Sequence, residues 1–344
     1  MNILITGGCG FIGCNAAQRF LRDGHSVTIV DNLSRRGSDR NLEWLRTQGD
    51  FTLVKGDIRN AALMNDTVGG GSFDVVLHLA AQVAVTTSVV EPREDFEINA
   101  LGTFNVLEAV RGFAPQAIVL NASTNKVYGK LSDLQVSEDA TRHALAHLPE
   151  GVSETQSLDF HSPYGCSKGA ADQYMIDYAR IYGLRTVNFR QSCIYGYRQF
   201  GVEDQGWVAW FTIAHSLMKP VTIYGTGKQV RDILFIDDLI DCYLAAIVHI
   251  DEVAGTTFNV GGGPENTLSL LELLEALHKH SGRPVTHTFE DWRPGDQPVY
   301  VSDIRKAAQL LDWRPKIDVP TGLELLHNWV AANLDAFGER AVTV

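Results

Sequence analysis

The chain has 344 residues, 45% hydrophobic and 20% charged, a balance that builds a sizeable globular core and speaks against a disordered or fibrous protein. A formal net charge of −12 argues against a nucleic-acid partner, while local arginines can still serve a small anion. Cysteines 9, 14, 166, 193 and 242 have neither paired nor metal-ligand spacing and read as reduced thiols of a cytoplasmic protein; no run approaches the roughly 20 apolar residues of a membrane span.

In chain order, residues 2–6 read as a short first strand without the basic flank of a signal peptide. A helix follows over 11–23, stopped by Gly24. Short apolar runs at 26–30, 51–54, 74–79 and 117–120 predict further strands, with helical patterns between them, including 93–111. Residues 164–182 predict another helix and 186–189 another strand. Strands alternating with helices imply an α/β protein of Rossmann type, a doubly wound parallel sheet. After 190 the alternation weakens, with helices expected at 205–218, 237–250, 268–280, 304–311 and 321–337. These form a smaller substrate-binding lobe, residues 190–228 and 263–344. The first domain covers 1–189, with return segments in 229–262.

Gly7-Gly8-Cys9-Gly10-Phe11-Ile12-Gly13 lies between the first strand and the first helix. Gly7, Gly10 and Gly13 permit a tight turn and a close approach of backbone N–H groups to a pyrophosphate, with Phe11 and Ile12 opening the helix. Asp31 closes the second strand, where a carboxylate accepts from ribose hydroxyls and repels a 2′-phosphate, favouring NAD over NADP. Asn32, Ser34 and Arg35 follow; Arg35 and Arg36 suit either a 2′-phosphate or a solvated loop. Asp57 and Ile58 suit the adenine edge, and an Asp57 helix cap fits equally well. Leu79, Ala80, Ala81 and Gln82 end the fourth strand with small residues over which a cofactor can lie.

Tyr164 and Lys168 share one helical face. A tyrosine is a weak base at neutral pH, and a nearby ammonium favours the phenolate that could take a proton from a sugar hydroxyl. Ser123 and Thr124 follow the fifth strand, where a hydroxyl could hold the reacting oxygen or simply form a turn.

The glycine loop, Ser123-Thr124 ahead of Val127-Tyr128-Gly129, and Tyr164-x-x-x-Lys168 together resemble the extended short-chain dehydrogenase/reductase family, from residue 1 to 330. The resemblance implies a catalytic triad of Thr124, Tyr164 and Lys168, bound NAD, and a nucleotide-sugar substrate. It also implies that Arg231 (after Gly225-Thr-Gly227), Arg293 and Asp296 surround the diphosphate, and that helices 93–111 and 164–182 form a homodimer interface. Within the family, the strings 158–173, 123–129, 198–200 and 204–207 resemble CDP-tyvelose (CDP-paratose) 2-epimerases. One departure is Cys193, where many sugar-nucleotide epimerases carry asparagine. Three readings follow: a C2 epimerase of a CDP-hexose, a UDP-hexose 4-epimerase, and a non-catalytic dinucleotide-binding regulator. A 4,6-dehydratase is disfavoured, because Asn125 and Lys126 follow Thr124 where that chemistry resembles sites with an acidic pair.

Overall fold

The computed structural model describes residues 1–293 and 296–337; Pro294 and Gly295 of the Arg293–Asp296 motif, and 338–344 of the expected second lobe, lie outside them. Strands β1 (Asn2–Thr6), β2 (Ser26–Asp31), β3 (Thr52–Lys55), β4 (Val75–His78) and β5 (Ile118–Thr124) join Arg185–Gln191 and Thr256–Val260 in one seven-stranded sheet. From edge to edge the order is Thr256–Val260, Arg185–Gln191, β5, β4, β1, β2, β3, and every pairing is parallel. A parallel sheet needs helices on both faces, so its strands are apolar on both sides. Ile3, Ile5, Ile29 and Leu77 pack with Ala16, Ala17 and Phe20 of helix Phe11–Arg22. The alternate residues Leu4, Val30, Val76 and Val119 pack with Met64, Val106, Val110 and Met175 on the opposite face. The strand order reverses between β1 and β4, where an open sheet of this kind leaves a crevice at the carboxyl ends.

Several elements differ from the sequence expectation for local reasons. The helix expected over 93–111 is three segments: Pro92–Phe96, a π-helical turn Glu97–Leu101, and Gly102–Phe113. The π turn gives Asn99 side-chain bonds both to and from the backbone of Gln82. The helix expected from 205 begins at Trp207, because Gly206 sits at φ 78, and it ends at Ser216. The helix expected over 237–250 divides into Ile236–Val248 and Ile250–Val253.

In a separate sheet Val230–Phe235 pairs parallel with Cys193–Tyr195 and Val299–Tyr300, and antiparallel with Thr267–Ser269. Val221–Tyr224 pairs parallel with His287–Glu290. These short strands carried too few residues to stand out in the sequence. Thr256–Val260 then returns to the main sheet and pairs with Arg185–Gln191. Helix Leu270–Ser281 starts at a capping box in which Ser269 Oγ accepts from Glu272 N–H and the Glu272 carboxylate accepts from Ser269 N–H.

Candidate active site

A cleft of about 680 Å³ follows the carboxyl ends of the strands and continues to the short strands Val221–Tyr224 and Val230–Phe235. Every cofactor, catalytic and substrate residue expected from the sequence lines it. At one end Gly7 adopts φ +72, and a Cβ there would lie 2.7 Å from Ala80 N. A Cβ on Gly13 would lie 2.2 Å from Gly7 O, so only glycine lets helix Phe11–Arg22 start this close to β1. The helix N-cap, Gly10, brings no side chain across the first-turn N–H groups. Asp31 is 8% exposed; its Oδ2 accepts from Cys9 N–H at 2.8 Å and its Oδ1 from Leu33 N–H at 2.7 Å. Each oxygen keeps a lone pair for a ribose hydroxyl, so this end fits an adenine dinucleotide.

Two flanking residues have partners the sequence did not reveal. Arg35 crosses the cleft and donates to Gln205 Oε1 at 2.6 Å, and its charge reaches Tyr164. Asp57 accepts from Arg59 and from Asn32 Nδ2, and the Arg59 hydrogen bonds hold its carboxyl down at about 2.

Thr124, Tyr164 and Lys168, the expected triad, all line the cleft. Tyr164 and Lys168 lie in the first turns of helix Ser162–Tyr182, and Thr124 ends β5. The Tyr164 hydroxyl hydrogen-bonds Thr124. Burial pushes the phenol up to about 12, while the Thr124 hydrogen bond and the Arg35 charge pull it back. Lys168, expected to favour the phenolate, lies four residues along the same helix. Lys168 Nζ donates to Ala122 O at 2.6 Å, and burial lowers its pKa to about 8 against the opposing pull of Asp172 and Asp95.

Ser123, expected to face substrate, donates its hydroxyl to Asp172 Oδ2 at 2.7 Å. Asp172 also receives Asn188 and both Arg190 Nε and Nη2. Asp95, Asn99 and Asp172 escaped the sequence reading. Asp95 accepts from Gln82 Nε2, Asn99 Nδ2 and Ser167 Oγ. The available signal for Asp172 was its position four residues beyond Lys168 on the same helical face.

At the far end Arg231, 8% exposed, donates through Nη2 to Asp296 Oδ1 at 2.7 Å. Arg293 lies 3.8 Å from the Tyr224 ring centroid and 3.1 Å from Asp204. Cys193 Sγ accepts from Trp207 Nε1 at 3.3 Å, and burial keeps it a thiol. The cleft therefore joins the glycine turn before helix Phe11–Arg22, the buried Tyr164–Thr124 hydroxyl pair and an arginine-bearing end.

Residues 4–326 match the GDP-mannose 4,6 dehydratase family, and the chain belongs to it, an extended short-chain dehydrogenase/reductase. A CDP-paratose 2-epimerase of Salmonella typhi is 47% identical over 96% of this chain and 100% of its own length. A UDP-glucose 4-epimerase of Mycolicibacterium smegmatis is 32% identical over 94% of this chain and 96% of that protein. The crystal structure of a Bifidobacterium longum UDP-glucose 4-epimerase in complex with NAD+ and UDP superposes with a TM-score of 0.82 at 26% identity, covering 98% of this chain and 100% of that one.

Proposed function

We propose that this protein is an NAD-dependent isomerase that inverts C2 of a nucleotide-activated hexose, interconverting CDP-paratose and CDP-tyvelose. The observation that carries the reading is the placement of Tyr164, Thr124 and Lys168 in one cleft between the Gly7–Asp31 end and the Arg231–Arg293 end. The 47% identity to a CDP-paratose 2-epimerase supports C2 and the cytidine nucleotide. Asn125 and Lys126 after Thr124 supply no acidic pair for a dehydration.

Bound NAD supplies a positively charged hydride acceptor and then a hydride donor beside the sugar. Gly7, Gly10, Asp31 and the small residues Ala80 and Ala81 would hold it. Tyr164 takes the proton of the C2 hydroxyl and later returns it, with Thr124 holding the oxygen. Lys168, anchored on Ala122 O, keeps a positive charge under the group. C1 is a glycosidic acetal, so no carbonyl acidifies the C2 hydrogen, and simple deprotonation is disfavoured. Arg231 and Arg293 keep the nucleotide anchored while the sugar turns about its phosphate bonds.

NMR of CDP-paratose and UDP-glucose incubated separately with the protein tests the reading. Inversion at C2, with a C2 deuterium retained and none taken up from D₂O, is expected. Inversion at C4 of UDP-glucose instead would replace the reading with the 4-epimerase one, and no turnover of any nucleotide sugar would favour a binding regulator.

The same proposal extends to a cytoplasmic homodimer. The five cysteines are free thiols, which suits a reducing compartment. Helices Gly102–Phe113 and Ser162–Tyr182 lie side by side and leave Phe113, Tyr174, Ile181 and Tyr182 between 42% and 60% exposed. Two copies pairing these helices would cover that apolar surface. Light scattering at micromolar concentration is expected to give twice the 37.9 kDa chain mass, and a monomer would remove this part.

A further inference from the structure

After Thr124 the chain makes a short 3-10 turn, Asn125–Tyr128, in which Thr124 Oγ1 accepts from Lys126 N–H at 3.2 Å. That turn sends the Lys126 side chain from the catalytic strand end toward the cationic end of the cleft. Its Nζ stands 3.7 Å from Asp296 Oδ1, the oxygen that also receives Arg231. Two cationic donors thus converge on one carboxylate oxygen, the geometry in which they would also meet a phosphate oxygen. Lys126 lines the cleft together with Arg231, Asp296 and Cys193. Cys193 offers only a thiol, a weak donor, and its sulfur already accepts from Trp207. The position therefore lacks the strong neutral donor of an amide, and the neighbouring positive charge comes from Lys126 and Arg231.

We propose that Lys126 determines which sugar carbon is presented to the triad, by holding the phosphate attached to the sugar close to Thr124. The proposal rests on the C2 epimerase reading and deepens it. In a hexopyranose, C2 adjoins the anomeric carbon that carries the phosphate, whereas C4 lies across the ring. Presenting C2 to Tyr164 therefore requires the phosphate to approach the triad more closely than presenting C4 does. Arg231 and Arg293 approach from strand Val230–Phe235 and from the loop after His287–Glu290. Lys126 is two residues from Thr124 on the same turn, so its ammonium is tied mechanically to the catalytic strand end.

The test titrates NAD-loaded wild type, Lys126→Gln and Lys126→Arg with CDP and with CMP by calorimetry, followed by kinetics on CDP-paratose. Lys126→Gln is expected to bind CDP about ten- to a hundredfold more weakly, with CMP changed by no more than about twofold. Its kcat should fall as its KM rises, since the sugar loses its register, and Lys126→Arg should recover part of both. Retained NAD and an unchanged melting temperature identify folded variants, and the arginine variant keeps the test open if glutamine destabilises the turn. Equal loss of CDP and CMP affinity, or wild-type affinity and kcat in Lys126→Gln, would overturn the role of Lys126. Absence of C2 turnover by the wild type would instead overturn the epimerase reading on which it rests.

Discussion

Tyr164, the proton acceptor in the proposed reaction, has surroundings that oppose its ionisation. Burial and the Asp95 charge raise the phenol, against the pull of Thr124 and Arg35, to about 12. Proton abstraction needs the phenolate, so the oxidation rate should climb as pH rises through the neutral range, because each step toward the pKa increases the ionised fraction. Tyr164→Phe is expected to lose about 10²–10⁴-fold in kcat while retaining bound NAD and the fold, and to abolish that pH dependence. Near-normal turnover by the variant would remove the assigned role. At the other end, Arg231→Ala and Arg293→Ala should mainly raise KM, each by about 1.5–3 kcal/mol of lost charge-assisted contact. Unchanged Michaelis constants in both would count against a diphosphate site there.

At the scale of elements, helix Ser162–Tyr182 positions the site through one face. Tyr164, Lys168 and Asp172 recur every four residues along it, and all three are less than 9% exposed. Asp172 pins this face to the sheet, since Ser123 comes from β5 and Asn188 and Arg190 from Arg185–Gln191. Asp172 and Arg190 are 0% and 4% exposed, so removing one charge strands the other in a poorly solvated place. Asp172→Asn is expected to destabilise the fold by about 3–5 kcal/mol, read from urea denaturation. A variant within about 0.5 kcal/mol of wild type would show that the pair contributes little. The periodicity of this helix was legible in the sequence; the strand partners were not, because they lie 16 to 49 residues away.

Across the whole molecule, a buried polar chain ties the sheet to the helices beside the cleft. Thr103 donates to Asn99 O, so its oxygen accepts from His78 Nε2–H. His78 Nδ1 then accepts from Thr6, whose oxygen receives Leu79 and Ala80 N–H. Both ring nitrogens are therefore used by a neutral imidazole. Burial, with the Lys168 charge adding to it, lowers the His78 pKa from 6.5 to about 3. Above 6.5 the imidazole is neutral whether the chain is folded or not. As pH falls below 6.5 the unfolded chain takes the proton first, so stability is lost progressively until about pH 3. The melting temperature should drop across this window, and less steeply in His78→Asn, which keeps an acceptor and a donor. Parallel profiles for the two proteins would place the acid sensitivity elsewhere.

The chain's own sequence determined the glycine turn before helix Phe11–Arg22, the acidic end of β2 and the Tyr164–Lys168 face. Each depends on residues that are neighbours along the chain, where turn geometry and helical spacing act directly. It also carried the alternation of strands and helices that makes a parallel sheet. Tertiary structure alone decided where the side chains between them went. Arg35 reaches Gln205, 170 residues away, and Ser123 reaches Asp172, 49 residues away. Lys126 and Arg231 meet at Asp296 across separations of 170 and 65 residues. Such pairings are selected by burial, because a charged or hydroxyl group removed from water takes whichever partner the packed chain brings within reach.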